Sequence, residues 1–368
     1  MPVEAPGLLD SGRAEELFNM AQKAAASRGV HDVEIIAGAS AEALTRFANN
    51  AIHQNVAEQT RHVSVRVIIE GRTARATTNR WDADSIDRAV DEAIHTARCL
   101  QADPDLPPLF EPQPVTSVDR YFSATADCTP DDRAWGVSEA IRVVEAAGQT
   151  AAGIFSTESH VESILNSRGV FAIHAESMAK FSITAMAADS SGWAKASSPH
   201  RGAFDPVRLA RRAAHKAAAS RAPREIEPGR YTVILEPSAV LDLVGQMFGD
   251  FSGTSVQDQR SFLTGRTGER IFGEGISITD DVYHPLQAGA PFDGEGVPRS
   301  KLNLVVNGTP SELAFSRTAA ARAGVIHSPG RQGRVARMSR VVRRASRPGA
   351  GLVIISSSAP HVARKSAR

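Results

Sequence analysis

The 368-residue sequence is poor in cysteine, with Cys99 and Cys128 alone. Two cysteines are too few for a disulfide framework, and this pair forms no C-x-x-C motif, so both are expected to be bystander thiols. No apolar run reaches the roughly 18 residues that a membrane span needs. The opening MPVEAPGLLDSGRAEEL has no basic region followed by an apolar core, so a cytoplasmic location without membrane insertion is expected.

Several kinds of chemistry are missing as well. Zinc-dependent hydrolysis needs imidazoles that converge on the ion, a third ligand and a carboxylate that takes the proton of the bound water. None of the 11 histidines has another within five positions, and no His-Glu pair occurs. His95 and His215 fall in helical patterns and are expected at surface or half-buried positions without a ligand role. There is no G-x-S-x-G nucleophile elbow, and the glycine-rich FGEGISI lacks the Lys and Ser/Thr of a phosphate-binding loop.

What is present is an ordinary globular composition, 42% hydrophobic and 23% charged, long enough for two or three domains. The net charge of +1 averages two unlike regions. Residues 325–368 carry ten Arg or Lys and no acid, leaving 32 basic against 41 acidic residues before them, a net of −9. Such an asymmetry suggests an arm for nucleic acid or anionic lipid.

Periodicity divides the chain. Residues 13–100 read as an α+β unit. A helix covers Arg13–Ala26, and strands follow with strict alternation at Val63, Val65, Val67 and Ile69 and a turn at Gly71. A second helix has Ile86, Ala89, Val90, Ala93, Ile94 and Ala97 on one face, with Asp84 and Asp87 placed for its cap and first turn. Five prolines between Ala102 and Val115 mark a linker, 101–118. Residues 119–225 repeat the pattern. Thr129-Pro130 with Asp132 opens a helix carrying Trp135, Ile141, Val144 and Ala147, strands flank an NSRG turn at 166–169, and Asp205-Pro206 opens another helix. Residues 226–324 start with a strand, RYTVILEP, and a helix, SAVLDLVGQMFGD, then become β-rich and glycine-rich. The fold class is α+β, with helices packed on antiparallel sheets in the first two units.

One carboxylate pair stands out in FDGEGVPRSKLNLVVNG. Asp293 and Glu295 would point the same way in extended backbone and could line a cleft. Physics alone favours a glycine turn with solvated acids before a strand.

Three stretches in order resemble the TldD/PmbA family of metallopeptidase subunits, also described as modulators of DNA gyrase: VRVIIEGRTARATTNRWDADSIDRAVDEAIHTA, ILNSRGVFAIHAESMAKFSITAMA, and GRYTVILEPSAVLDLV with FDGEGVPRSKLNLVVNGTPSELAFSRTAAARAG. In this family the TldD kind carries His-Glu-x-x-Gly-His on the helix after a strand resembling YTVILEP, plus a cysteine near its C-terminus. The TldE/PmbA kind lacks these and pairs with a TldD. Laid on this chain, the motif falls on Gly245, Gln246, Met247, Phe248, Gly249 and Asp250, and no cysteine follows Cys128. A glycine has no ligand, a Gln amide does not titrate, and Asp250 alone cannot hold zinc.

The resemblance therefore implies a non-catalytic, TldE/PmbA-type half of a cytoplasmic metallopeptidase that degrades or trims flexible peptides. It implies no cofactor on this chain and zinc on a TldD-type partner. Two other readings stay open: a binding protein of the gyrase-modulator type, against which the acidic body argues where DNA is concerned, and a peptidase using Asp293 and Glu295. After Gly324 the sequence departs from the family, and the basic 325–368 stretch is expected to reflect a shifted reading frame or a truncation that leaves the third domain incomplete.

Overall fold

The computed structural model describes residues 7–266 and 268–324; the basic 325–368 stretch lies outside them. Among the described residues, contacts form two compact units, the first made of the residues up to Ile69, Thr73–Leu100 and Ser117–Ile234, the second of Glu70–Arg72, Gln101–Thr116 and the described residues from Leu235 to Gly324.

The first unit is built on one six-stranded antiparallel sheet. Its strands are β1 (Asp32–Ala48), β2 (Ala51–Ile69), β3 (Arg72–Thr78), β4 (Thr150–Asn166), β5 (Phe171–Met186) and β6 (Ser191–Ser198), in the order β3-β2-β1-β4-β5-β6. Pairing of β1 with β4, from Glu34 opposite Asn166 to Phe47 opposite Gly153, joins the two sequence halves into a continuous surface. Glu70 and Gly71 turn β2 into β3 with positive φ at both, the geometry of a two-residue hairpin. Asn166 closes the β4–β5 turn by accepting the Arg168 and Val170 amides on its side chain, at 2.9 and 3.1 Å.

Helices cover one face of this sheet. The alternation predicts it: Val33, Ile35 and Ala37 on β1 and Val63, Val65 and Val67 on β2 are fully buried. They pack under α1 (Ser11–Ala26) and α2 (Ala83–Cys99), which contribute Ala14, Leu17, Ile86 and Val90. Farther along the same face, Phe47, Phe155, Phe181 and Ile183 pack under α4 (Pro130–Ala146) and α5 (Pro206–Ala219). Burial of each such Val, Ile or Phe is worth about 1.5–3 kcal/mol. A short helix, α3 (Ser123–Ala126), leads into α4. The closest approach in this layer is at Gly192 on β6, where a Cβ would stand 2.0 Å from the Ala213 carbonyl oxygen of α5.

Local signals explain the helix starts. Thr129 and Asp132 form a reciprocal capping box with Pro130 at the first turn of α4, and Asp205 caps α5 by accepting the Val207 amide at 2.9 Å. For α2 the cap is Asp82, whose side chain accepts the Ser85 amide at 3.0 Å; Asp84 lies in the first turn and Asp87 pairs with Arg28. Trp135 is 70% exposed, and the buried face of α4 runs through Arg133, Gly136, Val137, Ala140, Ile141 and Val144. His95 and His215 are exposed on their helices.

The second unit is irregular and glycine-rich. It contains α6 (Pro237–Gly245), α7 (Gly253–Gln257), α8 (Arg317–Arg322) and a three-stranded sheet of β7 (Ile278–Asp280), β8 (Leu302–Val306) and β9 (Thr309–Pro310). Its core gathers Val244, Phe251, Leu263, Ile278, Leu302, Leu304 and Val305. The expected strand RYTVILEP is absent from the described ladders: Arg221–Leu235 is exposed throughout, with Ile234 at 97%. A run of β-branched residues supplies propensity, but a strand also needs a ladder partner. No described helix is long and apolar enough to cross a membrane.

Candidate functional site

The motif positions lie where α6 ends. Pro237 opens this helix, Val244 anchors it in the core, and it stops at Gly245, with Gln246 as its C-terminal cap. A separate 3-10 turn covers Phe248–Phe251, so Gly245 and Asp250 do not share one continuous helix face as the sequence suggests. Gly245, Gln246 and Gly249 are exposed, and a Cβ at either glycine would meet nothing within 4 Å.

Asp250 is half-buried and occupied. Its Oδ1 accepts the Phe262 amide at 3.3 Å, and its carbonyl accepts the Ser261 hydroxyl at 2.8 Å. The carboxylate thus fastens the segment after α7 to the turn after α6. Zinc does not fit this donor set: one position has no side chain, one is a non-titrating amide, and the remaining carboxylate holds backbone. Among the described residues, no group of three His, Cys, Asp or Glu side chains is placed to hold a metal ion.

Asp293 and Glu295 are buried, 4% and 9% exposed, rather than solvated. Nor is their backbone extended. The Gly296 amide donates to the Asp293 carbonyl at 3.0 Å, with φ +79° at Gly296, and Asp293 Oδ1 accepts the amides of Glu295 and Val297 at 2.9 and 3.1 Å. Asp293 therefore closes a tight turn before β8.

The sequence reading missed the polar network beside this turn. Arg299 donates through Nη2 to both Asp280 oxygens, at 3.1 and 3.2 Å, with both side chains largely buried. Gln287 also donates to Asp280 and accepts the Asp281 amide at 2.7 Å, while the Tyr283 hydroxyl donates to the Arg299 carbonyl at 3.1 Å. Burial raises the Tyr283 phenol above its ordinary pKa. These groups neutralise and fasten one another, which shapes the loop 280–299. The only sequence signal was the D-x-x-Y and P-R spacing, too common to be read as a network. A cavity of about 380 Å³ in this unit is lined by Thr254, Gln257, Ser316 and Arg322 and includes none of the motif positions.

Three family models match in order. Residues 33–97 match one described as PmbA/TldA metallopeptidase domain 1, residues 130–221 the central domain, and residues 228–361 the C-terminal domain. A protein of Methanothermobacter thermautotrophicus named metalloprotease is 26% identical over 223 residues, 57% of this chain and 49% of that protein. An uncharacterised protein of Methanocaldococcus jannaschii is 38% identical over 95 residues, 25% of this chain and 23% of that one. The chain thus spans about half or less of these curated relatives. Among solved structures, a Thermotoga maritima protein described as a "putative modulator of a DNA gyrase" superposes with TM-score 0.77 at 22% identity, covering 85% of this chain and 73% of that one. TldE from Thermococcus kodakarensis superposes with TM-score 0.72 at 20% identity, covering 85% and 72%. At such identities these structures establish the shared fold.

Proposed function

The chain belongs to the PmbA/TldD metallopeptidase family, and from that premise we propose that it is the non-catalytic, TldE-like half of a peptide-degrading pair whose zinc is held by a partner chain of the TldD kind. One observation carries this reading: the positions that would supply two imidazoles and a general base hold Gly245, Gln246 and Asp250, and Asp250 is committed to the Phe262 amide. Hydrolysis needs a polarised, deprotonated water, and none of these three groups can generate one. What this chain's own residues offer is a scaffold. Its sheets present backbone and side chains against which a flexible peptide can be laid in extended form, the geometry in which a peptidase cuts.

Two observations support pairing with a TldD-type chain. The fold is that of a protein named TldE, and the family domains follow one another in order along the chain. The readings as a gyrase-directed binding protein and as a peptidase using Asp293 and Glu295 gain nothing specific from the geometry, because those two carboxylates sit in a buried structural turn. The test is a peptidase assay of this chain alone, of a zinc-motif family member alone, and of the two mixed. Cleavage of an unstructured peptide that depends on the mixture supports the assignment, and cleavage by this chain alone removes it.

A further inference from the structure

Two separate cores lie under the helices of the first unit, one beneath α1 and α2 and the other beneath α4 and α5. Between them the sheet carries small side chains: Ala41 and Ala43 on β1, Ala57 on β2, and Thr157 and Ser159 on β4. All are odd-numbered, like the core residues of the same strands, and so belong to the helix-covered face. These five residues and Cys128, from the segment between α3 and α4, line a cavity of about 290 Å³. That volume is close to the lower end of the range for small-molecule pockets. Glu42, Glu58 and Glu158 alternate with these residues along the strands, so their side chains belong to the sheet's other face.

Behind the cavity wall stands an unanswered charge. Arg133 on α4 is 1% exposed, and among the described residues no carboxylate pairs with it. Its Nη1 donates to the Cys128 carbonyl at 2.7 Å and to the Thr157 hydroxyl oxygen at 3.4 Å, while its Nε has no hydrogen-bond partner. The adjacent Asp132 is committed to the α4 cap and lies 3.5 Å from Arg201 instead. A buried guanidinium without a counter-charge is costly. Both partners of Arg133 line the cavity, so its charge is felt there through them. The oxygen of Thr157, a residue 4% exposed, accepts from Arg133, which leaves its own proton to donate, and no described residue accepts it. At the same wall Arg201 Nη1 approaches the Cys128 sulfur at 3.5 Å.

From the unanswered Arg133 charge and the Thr157 proton at this cavity, we propose that the gap between the two helix pairs is a binding site for a free carboxylate group, that of a small organic acid or of a short peptide's C-terminus. A carboxylate there accepts the Thr157 proton in a charge-assisted hydrogen bond and supplies the counter-charge that Arg133 lacks. Ala41, Ala43 and Ala57 leave the room that the ligand's carbon skeleton needs. The site lies wholly within the first unit and contains none of the motif positions at 245–250. It therefore stands independently of the functional reading above and needs neither zinc nor a partner chain.

The two cysteines supply the test, because Cys128 lines the cavity and Cys99 is exposed elsewhere. The full chain is alkylated with anionic iodoacetate and, separately, with neutral iodoacetamide, and each cysteine is followed by mass spectrometry; its thiolate displaces iodide from either reagent. A cavity that concentrates anions should raise the iodoacetate-to-iodoacetamide rate ratio at Cys128 at least about tenfold above that at Cys99. Arg133→Met and Thr157→Val should each return the ratio to the Cys99 value, and Thr157→Val, which keeps the side chain's shape, guards against a loss that reflects unfolding. Propionate and N-acetylated alanyl-alanine should slow labelling of Cys128, whereas the C-terminal amide of the same dipeptide should not. Protection by only one of the two acids identifies the source of the carboxylate. A native chain in which Cys128 is not labelled, equal ratios at the two cysteines, equal protection by the amide, or a ratio abolished by Arg201→Gln but untouched by the Arg133 and Thr157 variants would each overturn the proposal.

Discussion

The carbonyl of Asp250 accepts the hydroxyl of Ser261 at 2.8 Å, which fixes the last position of the family's zinc motif to a loop eleven residues away. The side chain does the same work through the Phe262 amide. This position is therefore structural here, whereas Gly245 and Gln246 face open space. The substitutions should separate accordingly. Gly245→Ala and Gln246→Ala should leave peptide cleavage by the mixed pair unchanged and alter stability by less than about 1 kcal/mol. Asp250→Ala should cost roughly 1–2 kcal/mol by freeing a half-buried amide. Urea denaturation of the three variants, run beside the cleavage assay, checks both statements.

Rebuilding the motif should not rebuild the site. With Gly245→His, Gln246→Glu and Asp250→His combined, two imidazoles would stand on either side of a helix end and a 3-10 turn rather than on one continuous helix face, so they would not converge on one ion. The expected outcome is no stoichiometric zinc after dialysis and no hydrolysis by the lone variant, read by metal analysis and a peptide assay. Full zinc occupancy would show that a further ligand exists in the chain.

The capping box of α4 links stability to pH. The backbone amide and hydroxyl of Thr129 hold the Asp132 carboxyl below its ordinary pKa. A depressed carboxyl contributes stability above its unfolded value, and that contribution fades as pH falls through the lower folded value. Thr129→Ala should therefore cost about 1 kcal/mol near neutral pH, and the gap from wild type should narrow in acid below the usual carboxylate range. Denaturant titrations at several pH values read this directly.

At Gly192, contact with α5 leaves no room for a methyl group, because the Ala213 oxygen and the Ala217 nitrogen are backbone atoms at 2.0 and 2.5 Å from its ideal position. Gly192→Ala should destabilise the first unit by about 1–3 kcal/mol. The expected signature is faster hydrogen exchange in α5 and β6, with the α1 and α2 layer less affected.

Asp293→Ala removes both amide contacts of the turn before β8 and leaves buried donors without partners. A loss of roughly 2–3 kcal/mol is expected, and any loss of pair activity should track the folded fraction. Activity lost while the fold is retained would revive a catalytic role for this carboxylate.

Most of the architecture was legible wherever one element carried its own pattern. The 63–69 alternation, the Ile86–Ala97 face and the Thr129 and Asp205 starts were all written locally. The union of the two α+β halves was not, because pairing of β1 with β4 joins residues more than a hundred positions apart and leaves no local trace. RYTVILEP was misjudged for the complementary reason: propensity was present and a ladder partner among the described residues was not. In the candidate site, the identities of Gly245, Gln246 and Asp250 could be read directly. The turn that removes Asp293 from solvent depended on Val297, and the Asp280–Arg299 pair on residues nineteen apart.

The most direct test of a non-catalytic half is metal analysis of purified chain, zinc-motif partner and their mixture, coupled to cleavage of one unstructured peptide by each. The expected result is zinc on the partner alone, no cleavage by this chain, and cleavage that requires the mixture. Stoichiometric zinc with peptide cleavage by this chain in isolation would contradict it.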